Sequence, residues 1–342
     1  MKNIVIRADA SVDIGVGHVM RCIALGQMLK DNGYGIHFIT KTDNSNIINR
    51  ILHENFIIKQ LHSEINKIDD AIKVAGYAQD NNIKWIITDG YKFETEYQRS
   101  IKYSDLKLCC IDDIANCHYI SDIVLNQNLN AENIFKYSCE EYTKLLLGIN
   151  YVMLRREFQK INNITFSDNC SNGKRLLITI GGSDSNNYSL KILKALKKLH
   201  TDYEVKLVIG ISYPFYDVLQ KFIKDNNYHV EVLQKVNNMV PLYEWAEITL
   251  TAGGSTVWEL LKMQKHMLTI VVADNQVKIS NELHKEKLSY NIGRIAEINE
   301  EKLVEILDNC FKDTQVNSEK IREFSKQIGK KMPDTLLNLM EE

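Results

Sequence analysis

The residues with the clearest chemical promise lie in the stretch Asp13-Ile-Gly-Val-Gly-His-Val-Met-Arg21. Gly15 and Gly17 let backbone amides approach a ligand closely. The unpaired N–H groups and the positive dipole end of a following helix favour an anion there. Histidine is the one side chain that ordinarily titrates near neutrality, and His18 stands directly beside these glycines. Arg21, one helical turn on, lies on much the same face and either orients an anion or braces the loop. The two glycines also begin a dinucleotide fingerprint. However, Met20 stands where the third glycine belongs, and the second strand ends Ile39-Thr40-Lys41 without the acidic residue that a ribose needs. The NAD reading fails on both counts.

Three further stretches join it. Ile86-Ile-Thr-Asp89-Gly90-Tyr91 is a strand running into an Asp-Gly turn, which is ordinary turn chemistry or a pair of site residues, Asp89 and Tyr91, at the same sheet edge as His18. Ile111-Asp112-Asp113 ends the next strand. Neighbouring side chains on a strand point opposite ways and no third ligand stands at metal spacing, so hydrogen bonding and capping are expected and a metal is not. Gly181-Gly182-Ser183-Asp184 is either a well-capped strand-to-helix turn or a second amide cradle for phosphate. Thr249-Leu-Thr-Ala-Gly253-Gly254-Ser255-Thr256-Val-Trp-Glu259 repeats the strand, glycine loop and helix start. Thr256 and Glu259 have capping-box spacing, yet a carboxylate one turn into such a helix can also accept both hydroxyls of a ribose. With Asn275-Gln276 after the next strand, these features point to a nucleotide diphosphate on the second half of the chain.

The elements that position these residues alternate. Ile4–Arg7 reads as the first strand and His18–Asp31 as the first helix, ended by Asn32-Gly33. Strands follow at Ile36–Thr40, Trp85–Thr88, Leu108–Ile111 and Ile123–Leu125. After a polar stretch they resume at Arg175–Ile180, Glu204–Ile209, Val230–Leu233, Ile248–Thr251 and Met267–Val271. Helices are predicted at Tyr188–Leu199, Tyr216–Asp225, Thr256–Met263 and Glu282–Lys287. Strands separated by helices imply parallel sheets. The expected organisation is an α/β chain with two doubly wound Rossmann-like domains facing a cleft, ligands sitting at the carboxyl ends of the strands. Its boundaries are predicted as 1–157, a linker over 158–173, 174–317 and a helical tail over 318–342.

Composition excludes other classes. The 342 residues are 44% hydrophobic and 25% charged, as in ordinary globular proteins. The 42 basic against 44 acidic residues predict no nucleic-acid or membrane-surface partner through bulk charge. No apolar run has the length of a membrane span and the chain enters a strand at once, so neither anchor nor leader is expected. The seven cysteines include no C-x-x-C pair; buried free thiols in a reducing, cytoplasmic setting fit best.

Taken together, these motifs resemble the pseudaminic-acid pathway hydrolase family. The resemblance is carried by Ala8 to Arg21, Asp89-Gly-Tyr91, Ile111-Asp-Asp113, Asp122-Ile-Val-Leu-Asn-Gln-Asn128 and Leu154-Arg155-Arg-Glu-Phe158. It continues through Gly181 to Asp184, Gly253 to Glu259 and Asn275-Gln276, in order over roughly residues 1–300. It implies a GT-B type fold and hydrolysis of UDP-2,4-diacetamido-2,4,6-trideoxy-β-L-altropyranose without metal or cofactor, water inverting the anomeric carbon. It further implies that His18 is the base and that Tyr91 assists near the sugar. Gly15, Gly17, Arg21, Asp89, Arg155, Gly182, Ser183, Gly254, Ser255, Thr256, Glu259, Asn275 and Gln276 would bind the substrate. The alternatives are a glycosyltransferase of the same fold, or a hydrolase of a related activated amino or deoxy sugar. A monomer or weak oligomer is expected.

Overall fold

The computed structural model describes residues 2–11, 15–161, 175–182, 184–199, 203–210, 213–312 and 315–341. The chain forms two compact units, one of residues 1–156 with 328–342 and the other of residues 157–327.

In the first unit the strands are β1 (Asn3–Ala8), β2 (Gly35–Thr40), β3 (Ile57–Gln60), β4 (Trp85–Asp89), β5 (Lys107–Ile111), β6 (His118–Tyr119), β7 (Ile123–Asn126), β8 (Ser138–Cys139) and β9 (Lys144–Leu147). Seven of them make one parallel sheet in the order β3-β2-β1-β4-β5-β7-β9, while β6 and β8 pair separately. The order reverses between β1 and β4, so the connections after these two neighbours leave in opposite directions and open a crevice at their carboxyl ends. Strand alternation supplies two cores. Ile4, Ile6 and Ala8 join Trp85, Ile87, Cys109 and Ile111 on the face covered by the helix Gly17–Asp31. Val5, Ile86, Leu108 and Cys110 face the other way, towards the helices Lys67–Asp80 and Thr95–Lys102.

Alternation also places Arg7 on this second face, where it is fully buried. Its guanidinium forks Asp70 (3.1 and 2.8 Å) and Asp9 (2.5 and 2.8 Å), while the Tyr97 hydroxyl donates to Asp70 at 2.9 Å. A buried cation is tolerable only when paired in this way. The network fixes the end of β1 from which the glycine–histidine turn departs.

The second unit repeats the plan with β10 (Arg175–Thr179), β11 (Glu204–Val208), β12 (Val230–Leu233), β13 (Ile248–Ala252), β14 (His266–Val271) and β15 (Tyr290–Arg294). Its parallel sheet runs β12-β11-β10-β13-β14-β15, with the reversal between β10 and β13. Among the described residues no helix is long and apolar enough to cross a membrane. Cys22, Cys109, Cys110 and Cys310 are buried free thiols, and Cys117 and Cys139 are half-buried and free.

Two expectations about organisation need correction. Residues 162–174 of the polar stretch lie outside the described residues, but the predicted linker does not begin at 158. Residues Arg156–Gln159 are helical, and Phe158 is fully buried with its ring 5.7 Å from that of Tyr243. Nor is 318–342 one tail. Ser318–Ser325 belongs to the second unit, whereas Met332–Glu341 belongs to the first. Met332, Leu336 and Met340 complete the core beneath β1, and the Trp85 indole donates to the Met340 carbonyl at 3.1 Å. Leu336→Ala is therefore expected to destabilise the first unit by about 2–5 kcal/mol, the range for emptying a buried leucine site. Denaturant unfolding checks this, and a loss below about 0.5 kcal/mol, as at an exposed position, would show that the helix is dispensable.

Candidate active site

The loop after β1 closes on itself before the helix begins. Gly15 donates to the Ser11 carbonyl at 2.9 Å with φ of +76°, a conformation that glycine adopts without strain. Val12, Asp13 and Ile14 lie outside the described residues. The helix starts at Gly17 with Val16 as its cap residue, whose side chain makes no cap hydrogen bond. A helix start favours an anion, and space is open where a side chain on Gly15 or Gly17 would stand.

His18, Arg21 and Cys22 share the buried face of this helix. Alternation along β4 puts Asp89 on the same face as Trp85 and Ile87, and alternation continued beyond β5 does the same for Asp113. The side chains meet there. His18 Nδ1 lies 2.6 Å from Asp89 Oδ1. Arg21 donates from Nε to Asp89 Oδ2 (2.5 Å), from Nη2 to Asp89 Oδ1 (2.6 Å) and from Nη1 to Asp113 Oδ2 (3.0 Å). The Cys22 thiol donates to Asp89 Oδ2 at 3.5 Å. Tyr91, just beyond the turn and 37% exposed, sets its ring edge-on to His18 with centroids 4.9 Å apart.

Burial alone would push the Asp89 carboxyl up. The charge of Arg21, with the hydrogen bonds from Arg21 and His18, outweighs it and holds the group well below the carboxylate range. Burial likewise pulls against Arg21, and Asp89 and Asp113 overcome it so that the guanidinium stays charged. An ionised Asp89 accepts the Nδ1 proton of His18, which leaves Nε2 with its lone pair. Among the described residues Nε2 has no hydrogen-bond partner. An imidazole oriented in this way can take a proton from an attacking hydroxyl.

Arg21 and Asp89 were expected at the substrate; in the structure the fork of Arg21 is taken by two carboxylates and both oxygens of Asp89 are engaged by Arg21 and His18. Asp113 is the member that sequence reasoning did not assign to the site. Its neighbour Asp112 faces away, accepting from Ile114 N (3.1 Å), Ala115 N (2.8 Å) and the Tyr137 hydroxyl (2.8 Å). Among the described residues no group of three or more His, Cys, Asp or Glu side chains is placed to hold a metal ion.

In the second unit the candidate residues collect on the loops after β10, β13 and β14. Gly182 packs its carbonyl against Gly210, and Ser183 lies outside the described residues. Asp184 accepts from Tyr188 N and Ser189 N, both at 2.8 Å, so the helix after this turn already has an internal carboxylate at its start. The capped-turn reading therefore describes the loop after β10 better than a phosphate cradle. After β13, Gly253 is pinned because a side chain would stand 2.3 Å from Ser280 Oγ, while space is open at Gly254.

The expected capping box is absent. Ser255, not Thr256, is the cap residue of the helix Thr256–Lys262, and its side chain makes no cap hydrogen bond. Glu259 is 8% exposed and accepts from the Tyr243 hydroxyl at 3.2 Å. Asn275 stands at the cap position of the helix Gln276–Lys285 without a side-chain cap hydrogen bond, whereas Gln276 turns its carbonyl to Val272 N at 3.1 Å and braces the loop. Arg155 is half-buried in the extended stretch before Arg156. It is Arg156 that grips Asp31 and Glu54, at 2.7 to 3.2 Å.

The depressed Asp89 group makes a prediction with a definite sign. Its stabilising contribution is present in full above the unfolded value of about 3.9 and is lost as pH falls through the folded value. Asp89→Asn should cost about 3 kcal/mol near neutrality, as one partner of a buried pair is removed. That gap should narrow below about pH 4. Thermal unfolding of both proteins across this range checks it; a constant gap would mean that the Asp89 charge contributes nothing.

Comparison with known proteins places the architecture. Residues 175–336 match the glycosyltransferase family 28 C-terminal domain. The chain is 29% identical over 267 residues to an uncharacterized protein of Methanocaldococcus jannaschii, covering 75% of this chain and 53% of that one. It thus spans about half the length of that relative. It is 25% identical over 290 residues to the UDP-2,4-diacetamido-2,4,6-trideoxy-beta-L-altropyranose hydrolase of Campylobacter jejuni, covering 83% of this chain and 96% of that one. The crystal structure of MurG from Acinetobacter baumannii superposes with a TM-score of 0.63 at 15% identity, over 100% of this chain and 99% of that one. With two parallel-sheet Rossmann-like units and this likeness, the chain has the GT-B fold.

Proposed function

We propose that this protein is a nucleotide-sugar hydrolase that removes UDP from UDP-2,4-diacetamido-2,4,6-trideoxy-β-L-altropyranose with inversion at the anomeric carbon. The observation that carries the reading is the His18–Asp89 pair at 2.6 Å, on the helix that starts at Gly17. The hydrolase of Campylobacter jejuni, similar over most of both chains, supports the choice of substrate.

In this reading a water gives its proton to His18 Nε2 as its oxygen attacks the anomeric carbon. The bond from that carbon to the diphosphate oxygen breaks, and its electron pair leaves with UDP. The transition state has oxocarbenium character, so stabilised leaving charge and a placed water matter most. UDP leaves as a stable anion and needs no strong acid; the Gly17 amide and the dipole of its helix favour the charge that develops. Tyr91 holds the imidazole edge and meets the sugar. The second unit binds the nucleotide: Gly254, Ser255 and Thr256 take the diphosphate, Glu259 the ribose hydroxyls, and Asn275 lies on the sugar side. No metal or cofactor enters these steps.

A second reading keeps the same base and replaces water with the hydroxyl of an acceptor. The match to a glycosyltransferase C-terminal domain favours it. Incubating the purified protein with the UDP-diacetamido sugar, with and without EDTA, separates the two. Hydrolysis predicts UDP release without acceptor and without sensitivity to EDTA, whereas release only after acceptor is added would establish transfer. His18→Asn is expected to lower kcat by about 10²–10⁴-fold, the range for removing a general base, while UDP still binds. Full activity in that variant would remove His18 from the mechanism. Glu259→Ala should weaken UDP binding about 10–100-fold, as hydrogen bonds to a charged group are lost. Unchanged affinity in calorimetry would return Glu259 to a purely structural role with Tyr243.

A further inference from the structure

Asp113 sits two residues beyond β5 and is 8% exposed. One oxygen, Oδ2, accepts from Arg21 Nη1 at 3.0 Å, and among the described residues the other finds no donor. A buried carboxylate with an unpaired oxygen weakens a fold, so stability alone does not account for this residue.

The reason lies at the other edge of the guanidinium. Arg21 Nη2 is 2.6 Å from Asp89 Oδ1 and 3.1 Å from His18 Nδ1. These groups admit two proton arrangements. With the proton on Nδ1, His18 donates to Asp89 and Nε2 keeps its lone pair. With the proton on Nε2, Nδ1 accepts from Arg21 and Nε2 can no longer take a proton. The direction of Nη2 decides between them. A guanidinium is a rigid planar fork, so gripping Nη1 also fixes Nη2 and Nε. Asp113 is the group that grips Nη1.

We propose that Asp113 is a positioning residue. Through Arg21 Nη1 it holds the guanidinium forked onto Asp89, and thereby keeps the His18 proton on Nδ1 and the Nε2 lone pair directed at the attacking hydroxyl. The assignment rests on His18 being the base of the proposed reaction, but the proton arrangement exists in the resting protein and is measurable without turnover.

The test is nitrogen NMR of the full chain labelled with 15N-histidine, the His18 signals being assigned by their loss in His18→Asn. Wild type should carry the proton on Nδ1. Asp113→Asn should move a substantial population to Nε2 and lower kcat for UDP release by about 10–100-fold at unchanged KM, in the manner of a lost tautomer-orienting carboxylate. Asp113→Glu, which keeps the charge, should restore both. If Asp113→Asn does not fold, Asp113→Ser removes the charge with a smaller side chain and is read in the same way. An unchanged His18 tautomer in the neutral variant overturns the proposal. So does a raised KM with unchanged ring signals, which would make Asp113 a ligand contact. A shifted tautomer in a protein that never releases UDP would instead uphold the role of Asp113 and refute the proposed reaction.

Discussion

Asp89 is a carboxylate taken out of water at the end of a central strand, and burial by itself would keep it protonated. The Arg21 fork reverses that outcome, and everything else in the first unit's site follows from the reversal. An ionised Asp89 can only accept, so it selects the face that His18 turns towards it. Such a buried ion pair is a weak source of stability, because desolvation offsets most of the attraction. Its geometry instead defines the orientation of the His18 imidazole at this sheet edge.

Both units put their candidate residues where the strand order reverses, between β1 and β4 in one and between β10 and β13 in the other. They furnish the place differently. The first unit sends charged side chains inward from a helix and two strand ends, and they engage one another while His18 Nε2 and Asp113 Oδ1 keep their lone pairs. The second unit presents short glycine and hydroxyl loops, with Glu259 tied to Tyr243. A loop of small residues suits a ligand held mainly by its phosphates, whereas a braced histidine suits a reacting bond.

Much of this was legible in the chain. The central strands, the glycine turns and His18 announce themselves through apolar runs ended by glycine. What escaped depends on partners distant in sequence. The edge strand Ile57–Gln60 is mostly exposed, and the last strand, Tyr290–Arg294, carries Gly293 at a positive φ, so neither has a clean apolar signal. Arg21 and Asp89 were both visible as site residues, but their mutual neutralisation was not, because it requires β4 to lie beside β1. Alternation through Ile87-Thr88-Asp89 and Ile111-Asp112-Asp113 held the signal that puts Asp89 and Asp113 on the helix face. The capping-box spacing at Thr256 and Glu259 misled because the helix begins with Ser255 as its cap. Arg7 gave no warning at all: an arginine ending a short strand normally faces solvent, and only Asp9 and Asp70 together make its burial possible.

The helix Met332–Glu341 packs under β1 although the whole second unit intervenes in sequence. During synthesis, the second unit therefore has every strand of its sheet before the first unit receives its last helix. Until then Ile4, Ile6 and Trp85 lack part of their cover, and the incomplete core is exposed for the time taken to make residues 157–327. A nascent chain in that interval offers apolar surface to chaperones.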